Sequence, residues 1–194
     1  MKKTLLLFVL LLIFMPFQAA AQNWQIDTVH TNFYFEVKHT YAVVRGQFMD
    51  FSGDISFDPE NPGESRFDFV IQTDSVDTKV GKRDTHLRSP DFFDATNYPT
   101  MTFKSTKVNK LAQDKFMVEG QLTIKDVTRD IALEFIYHGQ KENPLNKKQI
   151  VAGLDTSLVL DRLEYHVGDG KFYKMGVVGK EVSILLTIEL LRDK

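Results

Sequence analysis

Apolar and polar side chains alternate with a period of two along most of the chain. In the stretch from Asn32 to His39, for example, Phe33, Phe35 and Val37 fall on one face and more polar neighbours fall on the other. This period is typical of a half-buried β-strand. The same alternation returns at Phe67, Phe69 and Ile71, at Met101 and Phe103, at Phe116 and Val118, at Leu122 and Ile124, at Ile131, Leu133, Phe135 and Tyr137, at Leu154, Leu158 and Leu160, and from Val182 to Leu190. The pattern therefore predicts an all-β protein with about eight antiparallel strands.

The parity of the alternation changes near Met49 and Asp50. Phe48 lies in one parity, whereas Phe51 and the apolar positions up to Phe57 lie in the opposite one. A bulge or corner causes such a slip, and corners of this kind bend a sheet into a barrel. We therefore expect a bend in the sheet at this point.

About eight strands with one-sided patterning form either a sandwich or a barrel. Strands of about eight to ten residues favour a barrel of the lipocalin type. We expect a polar loop from Gln140 to Lys148 between two of them. An eight-stranded barrel is just wide enough to be filled by side chains or to hold one small ligand, so the pattern leaves both interiors open.

One polar insertion interrupts the alternation near residues 75–98, where we expect a short helical or loop segment. Charged and aromatic residues are mixed there and just beyond it: Arg83, Asp84, His86, Arg88 and Asp91 stand beside Phe92, Phe93, Tyr98 and Phe103. This mixture indicates either a lid over an apolar cavity or an ion-pair network that fixes a crossover. Phe92, Phe93 and Tyr98 are candidates for a rim through which a ligand would enter.

The first 21 residues have the order of a secretory signal peptide: Lys2 and Lys3, an apolar block from Leu5 to Phe17, and three alanines that end at Ala21. We expect cleavage after Ala21, export to the periplasm, and one domain over residues 22–194 without a membrane span. A membrane anchor is the alternative, but the block is shorter than the roughly 20 apolar residues that a spanning helix needs.

The amino-acid composition argues against several classes of function. The chain has no cysteine, which excludes disulfides, thiol catalysis and thiolate metal sites. Its net charge is −2 without a basic cluster, so a nucleic-acid partner is not expected. With 16 phenylalanines, the chain has enough rings to line a pocket as well as to fill a core.

Several short motifs together resemble the YceI-like family. They run in order along the chain: Asp27-x-x-His30-Thr31, Phe35-x-Val37-x-His39, Gly46-x-Phe48, Arg83-Asp84-x-His86-Leu87, Phe92-Phe93-Asp94, Tyr98-Pro99 and Leu122-Thr123-Ile124-Lys125, with a closing segment at Asp161-Arg162-Leu163-Glu164-Tyr165 and Val178-Gly179-Lys180-Glu181-Val182. The resemblance covers essentially the whole mature chain. Asp126 replaces the family's usual glycine after Lys125, Thr31 replaces a commoner serine, and Asp161 replaces a frequent asparagine.

The resemblance implies a lipocalin-like antiparallel barrel, usually periplasmic, whose interior binds a polyisoprenoid, an isoprenoid quinone or a fatty amphiphile. No catalytic reaction is firmly attached to the family, and no cofactor is required. The resemblance thus favours a cavity over a filled core. The predicted apolar lining is Phe33, Phe35, Val37, Phe48, Phe69, Ile71, Phe92, Phe93, Met101, Phe103, Leu133, Phe135, Leu158, Ile184 and Leu186.

Asp77, Arg83, Asp84 and His86 form a second predicted group, which is either a polar gate for a ligand headgroup or a structural network. The structural interpretation is favoured, with Arg83 bridging carboxylates through its planar fork. The five histidines show no metal-ligand spacing, so no metal site is expected. No serine lies in a G-x-S-x-G or S-x-x-K motif, so no catalytic residue is predicted.

Three hypotheses follow. The first is an exported binding protein that sequesters one long-chain apolar ligand for transport, storage or protection. The second is a periplasmic enzyme that acts on such a lipid, with His86 and Asp84 as proton-transfer groups. The third is a ligand-free structural or partner-binding domain. The oligomeric state, monomer or homodimer, is open at this point.

Overall fold

Residues 22–194, which the computed structural model describes, form one antiparallel sheet of eleven strands. The strands are β1 Asn23–Ile26, β2 Asn32–His39, β3 Ala42–Phe48, β4 Phe51–Ser56, β5 Arg66–Gln72, β6 Val76–Asp77, β7 Thr100–Lys110, β8 Lys115–Ile124, β9 Val127–Glu142, β10 Gln149–Asp161 and β11 Val178–Asp193. Two helices, α1 Gly81–Arg88 and α2 Lys171–Lys174, and three 3₁₀ turns, Pro62–Glu64, Thr73–Ser75 and Arg162–Tyr165, complete the described chain. The predicted signal peptide lies outside the described residues.

The sheet closes on itself because β1 pairs with both β4 and β11. Three of the positions around the ring are each occupied by a strand that is broken in two, namely β1 with β2, β3 with β4, and β5 with β6. The ring is then an antiparallel barrel of eight strands. The predicted all-β, eight-stranded barrel with a short helical insertion is confirmed.

Two of the breaks lie side by side and form the corner that the parity slip predicts. Met49 N–H donates to the carbonyl of Ser75 at 3.1 Å, and Gln72 N–H donates to the carbonyl of Asp50 at 2.9 Å. On one side of the break Phe48 pairs with Val76, and on the other side Phe51 pairs with Ile71. The sheet therefore bends across both chains at the same height.

The third break is the turn between β1 and β2, which is fastened to β11. Asp27 N–H and the Thr31 hydroxyl both donate to the carbonyl of Glu189, at 2.9 and 3.2 Å, and Glu189 N–H donates back to the Thr31 hydroxyl at 3.0 Å. The Asp27-x-x-His30-Thr31 motif thus has a structural role at this turn. The substitution of serine by Thr31 keeps the hydroxyl that makes these bonds.

Four strands are longer than predicted, and one loop is shorter. β7 has 11 residues and β10 has 13. β9 and β11 have 16 residues each, rather than eight to ten. The polar loop predicted from Gln140 to Lys148 is confined to residues 143–148, because Gln140 and Glu142 pair with β10. Residues 140–142 are exposed, so this end of the hairpin lacks the one-sided alternation by which a strand is recognised.

One end of the barrel is packed with aromatic rings. Phe57 contacts Phe67 and Phe116 with ring centroids 5.4 and 5.1 Å apart, and Phe67 stacks on Phe135 at 5.3 Å. All four phenylalanines are 0% exposed. Trp24 covers this end and donates its indole N–H to the carbonyl of Phe57 at 3.0 Å. This half of the barrel is filled.

No helix in residues 22–194 combines the length and the apolar character needed to cross a bilayer.

Candidate functional site

The other half of the barrel encloses an apolar cavity of about 170 Å³. Its wall consists of aliphatic and aromatic side chains with one charged residue, Arg162, among the lining residues of the described chain. The strands supply Phe33, Tyr34, Phe35, Val37, Phe48, Phe69, Ile71, Met101, Phe103, Leu122, Ile124, Ile131, Leu133, Leu158, Leu160, Val178, Val182, Ile184 and Leu186. α1, the segment after it and the turn after β10 supply Leu87, Phe92, Phe93, Arg162, Tyr165 and Val167.

All of the residues predicted to line a cavity lie on this wall except Phe135. Phe135 belongs to the packed end, where its ring stacks on Phe67. It shares its parity with Ile131 and Leu133, which do line the cavity, because all three point inward from β9. Strand alternation identifies the inward face but not the height along the barrel, and this explains the difference.

Several wall residues were not predicted, although strand alternation in the sequence indicates some of them. Leu122, Ile124, Ile131, Leu160 and Val182 have the inward parity of their strands, so alternation alone could have added them. Arg162, Tyr165 and Val167 follow the end of β10, where no periodic signal exists. Their contribution to the wall depends on how the chain turns after Asp161.

Aromatic residues of the insertion cover part of the cavity. Phe93 meets Phe48 edge to face at 5.5 Å, and Phe92 stacks on Phe172 of α2 at 5.9 Å. Tyr98, the third predicted rim residue, is not on the wall. Its ring faces the ammonium of Lys125 at 5.5 Å. Of the three, therefore, Phe92 and Phe93 adjoin the cavity.

The predicted polar group does not lie on the cavity wall, and it does not form one cluster. Asp84, which is 8% exposed, accepts from the backbone N–H of Thr78 at 2.9 Å and from its hydroxyl. Arg83 donates to the same hydroxyl at 2.7 Å and to the Thr78 carbonyl at 2.8 Å. The expectation that Arg83 bridges carboxylates is wrong, because its fork binds the oxygens of Thr78 instead.

The other two members of the group have separate partners. Asp77 binds Lys79, and this hydrogen bond holds the pKa of the Asp77 carboxyl below its ordinary value. His86 faces the carboxylate of Asp91 at 2.9 Å and meets the ring of Phe92 edge to face at 5.0 Å. Asp84 and Arg83 thus tie α1 to the chain before it, while Asp77 and His86 lie in exposed pairs.

Arg162 is the one arginine among residues 22–194 that is buried. The residue is 7% exposed, and its guanidinium lies 5.8 Å from the centre of the Phe92 ring. Nε donates to the carbonyl of Gly179 at 2.8 Å, and Nη1 donates to the carbonyl of Val167 at 2.6 Å. Nη2 is buried and has no hydrogen-bond partner in residues 22–194. Burial lowers the pKa of the guanidinium from its ordinary value.

One group of potential metal ligands is present outside the cavity. Oxygen and nitrogen atoms of Asp27, His30 and Glu189 lie within 4.8 Å of one another. His30 Nδ1 is 2.9 Å from the Asp27 carboxylate, and this hydrogen bond raises the pKa of His30 and lowers the pKa of Asp27. The contact is accounted for as an ion pair at the β1–β2 turn, and the absence of a metal stays a prediction.

A family model described as YceI-like domain matches residues 24–190. The chain belongs to the YceI-like family. Protein YceI of Shigella flexneri is 34% identical over 198 residues, which cover 100% of both proteins. The resemblance inferred from the sequence motifs is therefore confirmed.

Solved structures with this YceI-like fold include BcnA of Burkholderia cenocepacia, which matches with a TM-score of 0.75 at 24% identity, over 84% of this chain and 98% of BcnA. A polyisoprenoid binding domain from Saccharophagus degradans, implicated in plant cell wall breakdown, matches with a TM-score of 0.64 at 18% identity, over 86% of this chain and 97% of that domain. At these identities the two structures support the fold.

One departure from the YceI-like pattern, Asp126 in place of glycine, lies in the turn between β8 and β9. In the β8–β9 turn the left-handed residue is Lys125, with φ of 54°, and not Asp126. Lys125 Nζ donates to the carbonyls of Phe92 and His166 at 3.0 and 2.8 Å, while Asp126 pairs with His166 at 3.0 Å. These contacts join the turn to the segments that contain Phe92 and His166 and offset the cost of positive φ, about 1–2 kcal/mol.

Proposed function

We propose that this protein is an exported, non-enzymatic binding protein. Residues 1–21 would be removed as a signal peptide, and residues 22–194 would enclose one long-chain apolar ligand in the periplasm. The ligand class is a polyisoprenoid, an isoprenoid quinone or a fatty amphiphile, held for transport, storage or protection. The observation that carries this proposal is the apolar cavity in one half of an otherwise filled barrel. The description of the related Saccharophagus degradans domain as polyisoprenoid-binding supports it.

The wall chemistry suits a hydrocarbon chain. Each CH₂ group that leaves water for an apolar site contributes about 0.8 kcal/mol, so ten such groups supply about 8 kcal/mol without polar recognition. That free energy corresponds to a dissociation constant on the order of 1 μM before the costs of association are subtracted. A chain that is longer, or partly branched, would bind more tightly.

The size of the cavity restricts how such a chain lies. At about 170 Å³ it is smaller than the roughly 300–1,000 Å³ of typical small-molecule sites. A ligand would therefore lie extended and displace some wall side chains as it enters. Phe92 and Phe93 lie outside the sheet, in the segment after α1, and they can move without breaking strand pairing. We propose that this segment is where the ligand enters.

A lipid-directed enzyme is less well supported. Asp84 and His86, the residues that such an enzyme would use, lie off the cavity wall, and Asp84 already accepts two hydrogen bonds from Thr78. A general base has to reach the proton that it removes. Neither residue has that position relative to a chain inside the barrel.

The test is to extract lipid from protein that is purified without detergent from its native periplasm, and to identify the lipid by mass spectrometry. We expect one class of long-chain lipid in a near-stoichiometric amount. After delipidation, a long-chain quinone or fatty amide at 100 times its dissociation constant should stabilise the protein by about 2.7 kcal/mol. For a domain of this size, this stabilisation raises Tm by roughly 5–10 °C.

Two neighbouring residues provide a variant and its matched control. Leu158→Trp places a large ring in the cavity, whereas Val159→Trp places the same ring on the outside, where Val159 is 62% exposed. We expect Leu158→Trp to lose both the extracted lipid and the Tm shift, and Val159→Trp to keep both. Native extracts without lipid, together with an unchanged Tm for every added chain, would exclude the proposed function.

A further inference from the structure

Arg162 is a buried cation on the wall of an apolar cavity, and no carboxylate in residues 22–194 forms an ion pair with it. The acidic groups on its own segment have other partners, and Glu164 among them pairs with Arg129. Asp161 pairs with Lys180 at 2.8 Å and accepts from the backbone N–H of Leu163 at 3.0 Å. Asp169 accepts from the backbone N–H of Lys171 at 2.9 Å. The positive charge of Arg162 is thus not neutralised by direct contact.

The hydrogen-bonding capacity of the guanidinium is only partly used. An arginine side chain has five N–H donors, and here Nε and Nη1 each bind one carbonyl while Nη2 binds none. A buried charged donor without a partner has lost its hydration and has gained no hydrogen bond in return, which is unfavourable. Native proteins rarely leave such a group without a partner, and in residues 22–194 the other case is Nε of Arg192, which lies over Trp24 at the packed end. The unsatisfied Nη2 on the cavity wall therefore calls for an explanation.

The local sequence holds the guanidinium firmly in this position. Asp161 caps the 3₁₀ turn Arg162–Tyr165, and Gly168 lies against the guanidinium with φ of 90°. A side chain at position 168 would collide with Arg162 Nη1, so glycine leaves the space that the cation occupies. The carbonyls of Gly179 in β11 and of Val167 after the 3₁₀ turn accept hydrogen bonds from the guanidinium and fix its orientation. The guanidinium is therefore held in place before any ligand is bound, with Nη2 covered by the protein itself. A ligand head reaches Nη2 once the Phe92 ring, 5.8 Å from the guanidinium, moves, as ligand entry at the segment after α1 already requires.

We propose that Arg162 binds the polar head of the chain enclosed in the cavity, and that this head carries an anionic oxygen, as in a carboxylate or a phosphate. The inference rests on the proposed function and names the chemical class of its ligand. An anionic oxygen satisfies Nη2 and neutralises the buried charge at once, which a hydrocarbon end or an alcohol does not. The tail then lies along the apolar wall, and the head lies at the segment that contains Arg162, Val167 and Gly168.

The test compares ligands that share a sixteen-carbon chain and differ in the head: hexadecanoate, monohexadecyl phosphate and 1-hexadecanol. Dissociation constants are measured by calorimetry at pH 8 with delipidated, full mature protein. We expect both anions to bind about 10–100-fold more tightly than the alcohol. In Arg162→Met the difference should fall to within about threefold, with the dissociation constant of the alcohol nearly unchanged.

Arg129→Met is the matched control. Arg129 is half exposed, pairs with Glu164, and lies 5.7 Å from the ring of Tyr165, so its removal takes one positive charge from the same end of the barrel without touching the cavity. This variant should keep the full preference for anions. Equal loss in both variants would mean that general electrostatic attraction, and not contact with Arg162, causes the preference.

A measurement on the unaltered protein keeps the proposal testable even if the Arg162→Met variant does not fold. The side-chain ¹⁵N–¹H resonances of Arg162 should shift strongly when hexadecanoate is added and much less when hexadecanol is added. If all three ligands bind equally and these resonances respond alike, the role of Arg162 is excluded while the proposed function stands. If none of the three ligands binds, the proposed function itself fails.

Discussion

Replacing Phe135 with alanine should destabilise the protein more than replacing Phe103 with alanine, although the two rings are 0% and 4% exposed. Phe135 stacks on Phe67 with ring centroids 5.3 Å apart, inside the packed end. Phe103 lies on the cavity wall, and its aromatic neighbour Phe69 is 6.4 Å away. The comparison measures how far the two halves of the barrel differ in packing.

The expected magnitudes follow from the contacts that each ring makes. Truncating a fully packed phenylalanine costs about 3–5 kcal/mol, because the lost transfer free energy adds to the cost of a new cavity. An atom that faces a void has already lost part of its dispersion energy. We therefore expect a loss of about 4 kcal/mol for Phe135→Ala and about 2 kcal/mol for Phe103→Ala.

The assay is urea unfolding of delipidated protein at 25 °C. Trp24, the single tryptophan of the chain, is 5% exposed in the packed end, and its fluorescence reports unfolding. The slope of the unfolding free energy against urea should stay constant among the variants. Losses that agree within about 0.5 kcal/mol, or a larger loss for Phe103→Ala, would refute the distinction between a packed and a hollow half.

Three further predictions concern the polar contacts and the shape of the wall. Asp84→Ala should lower the free energy of unfolding by about 2–3 kcal/mol, because buried donors lose a charged acceptor, while ligand affinity stays within about twofold. His30→Gln should be less stable than the original protein at pH 5.5 but nearly equal to it at pH 8.5. The pKa of His30 is raised and the pKa of Asp27 is lowered, so their ion pair stabilises the folded protein below the ordinary His30 pKa of 6.5. This stabilisation is lost as the pH rises through the raised pKa of His30, and also as the pH falls through the lowered pKa of Asp27. Gly46→Ala should lower ligand affinity about tenfold and stability by about 1–3 kcal/mol, because the added Cβ collides with the Phe35 ring and drives it toward the cavity.

Each of these predictions has a distinct contrary result. Strong loss of ligand affinity in Asp84→Ala would support the polar gate instead of the structural network. A stability difference for His30→Gln that is the same at both pH values would exclude the ion pair as its cause. Gly63→Ala is the control for Gly46→Ala, since a Cβ at Gly63 meets no atom within 4 Å. Equal effects of the two substitutions would remove the steric argument.

The fold was largely predictable because strand alternation and its single parity slip are properties of neighbouring residues. The change of parity between Phe48 and Phe51 located the corner of the sheet correctly. Alternation also identified most of the strand residues on the wall, since the strand residues of inward parity face the interior. It could not tell Phe135 from Leu133, because the height of a residue along the barrel depends on register with other strands.

The polar contacts were less predictable. Thr78, an uncharged residue, joins Asp84 to Arg83, and no pattern of charges along the chain indicates such a role. In the sequence, Arg162 stands out only as part of a family motif. Its burial depends on the packing of Phe92 and Gly168, which come from distant parts of the sequence. Tertiary contacts of this kind have no local periodicity.

The most direct test of the cavity as a binding site is the dissociation constant of a series of straight-chain alcohols from ten to sixteen carbons, measured by calorimetry. If the chain lies in the cavity, each added CH₂ should contribute about 0.8 kcal/mol, or about fourfold in affinity, until the cavity is full. In Leu158→Trp this dependence should disappear, while Val159→Trp should retain it. An affinity that does not change with chain length in the original protein would contradict the account.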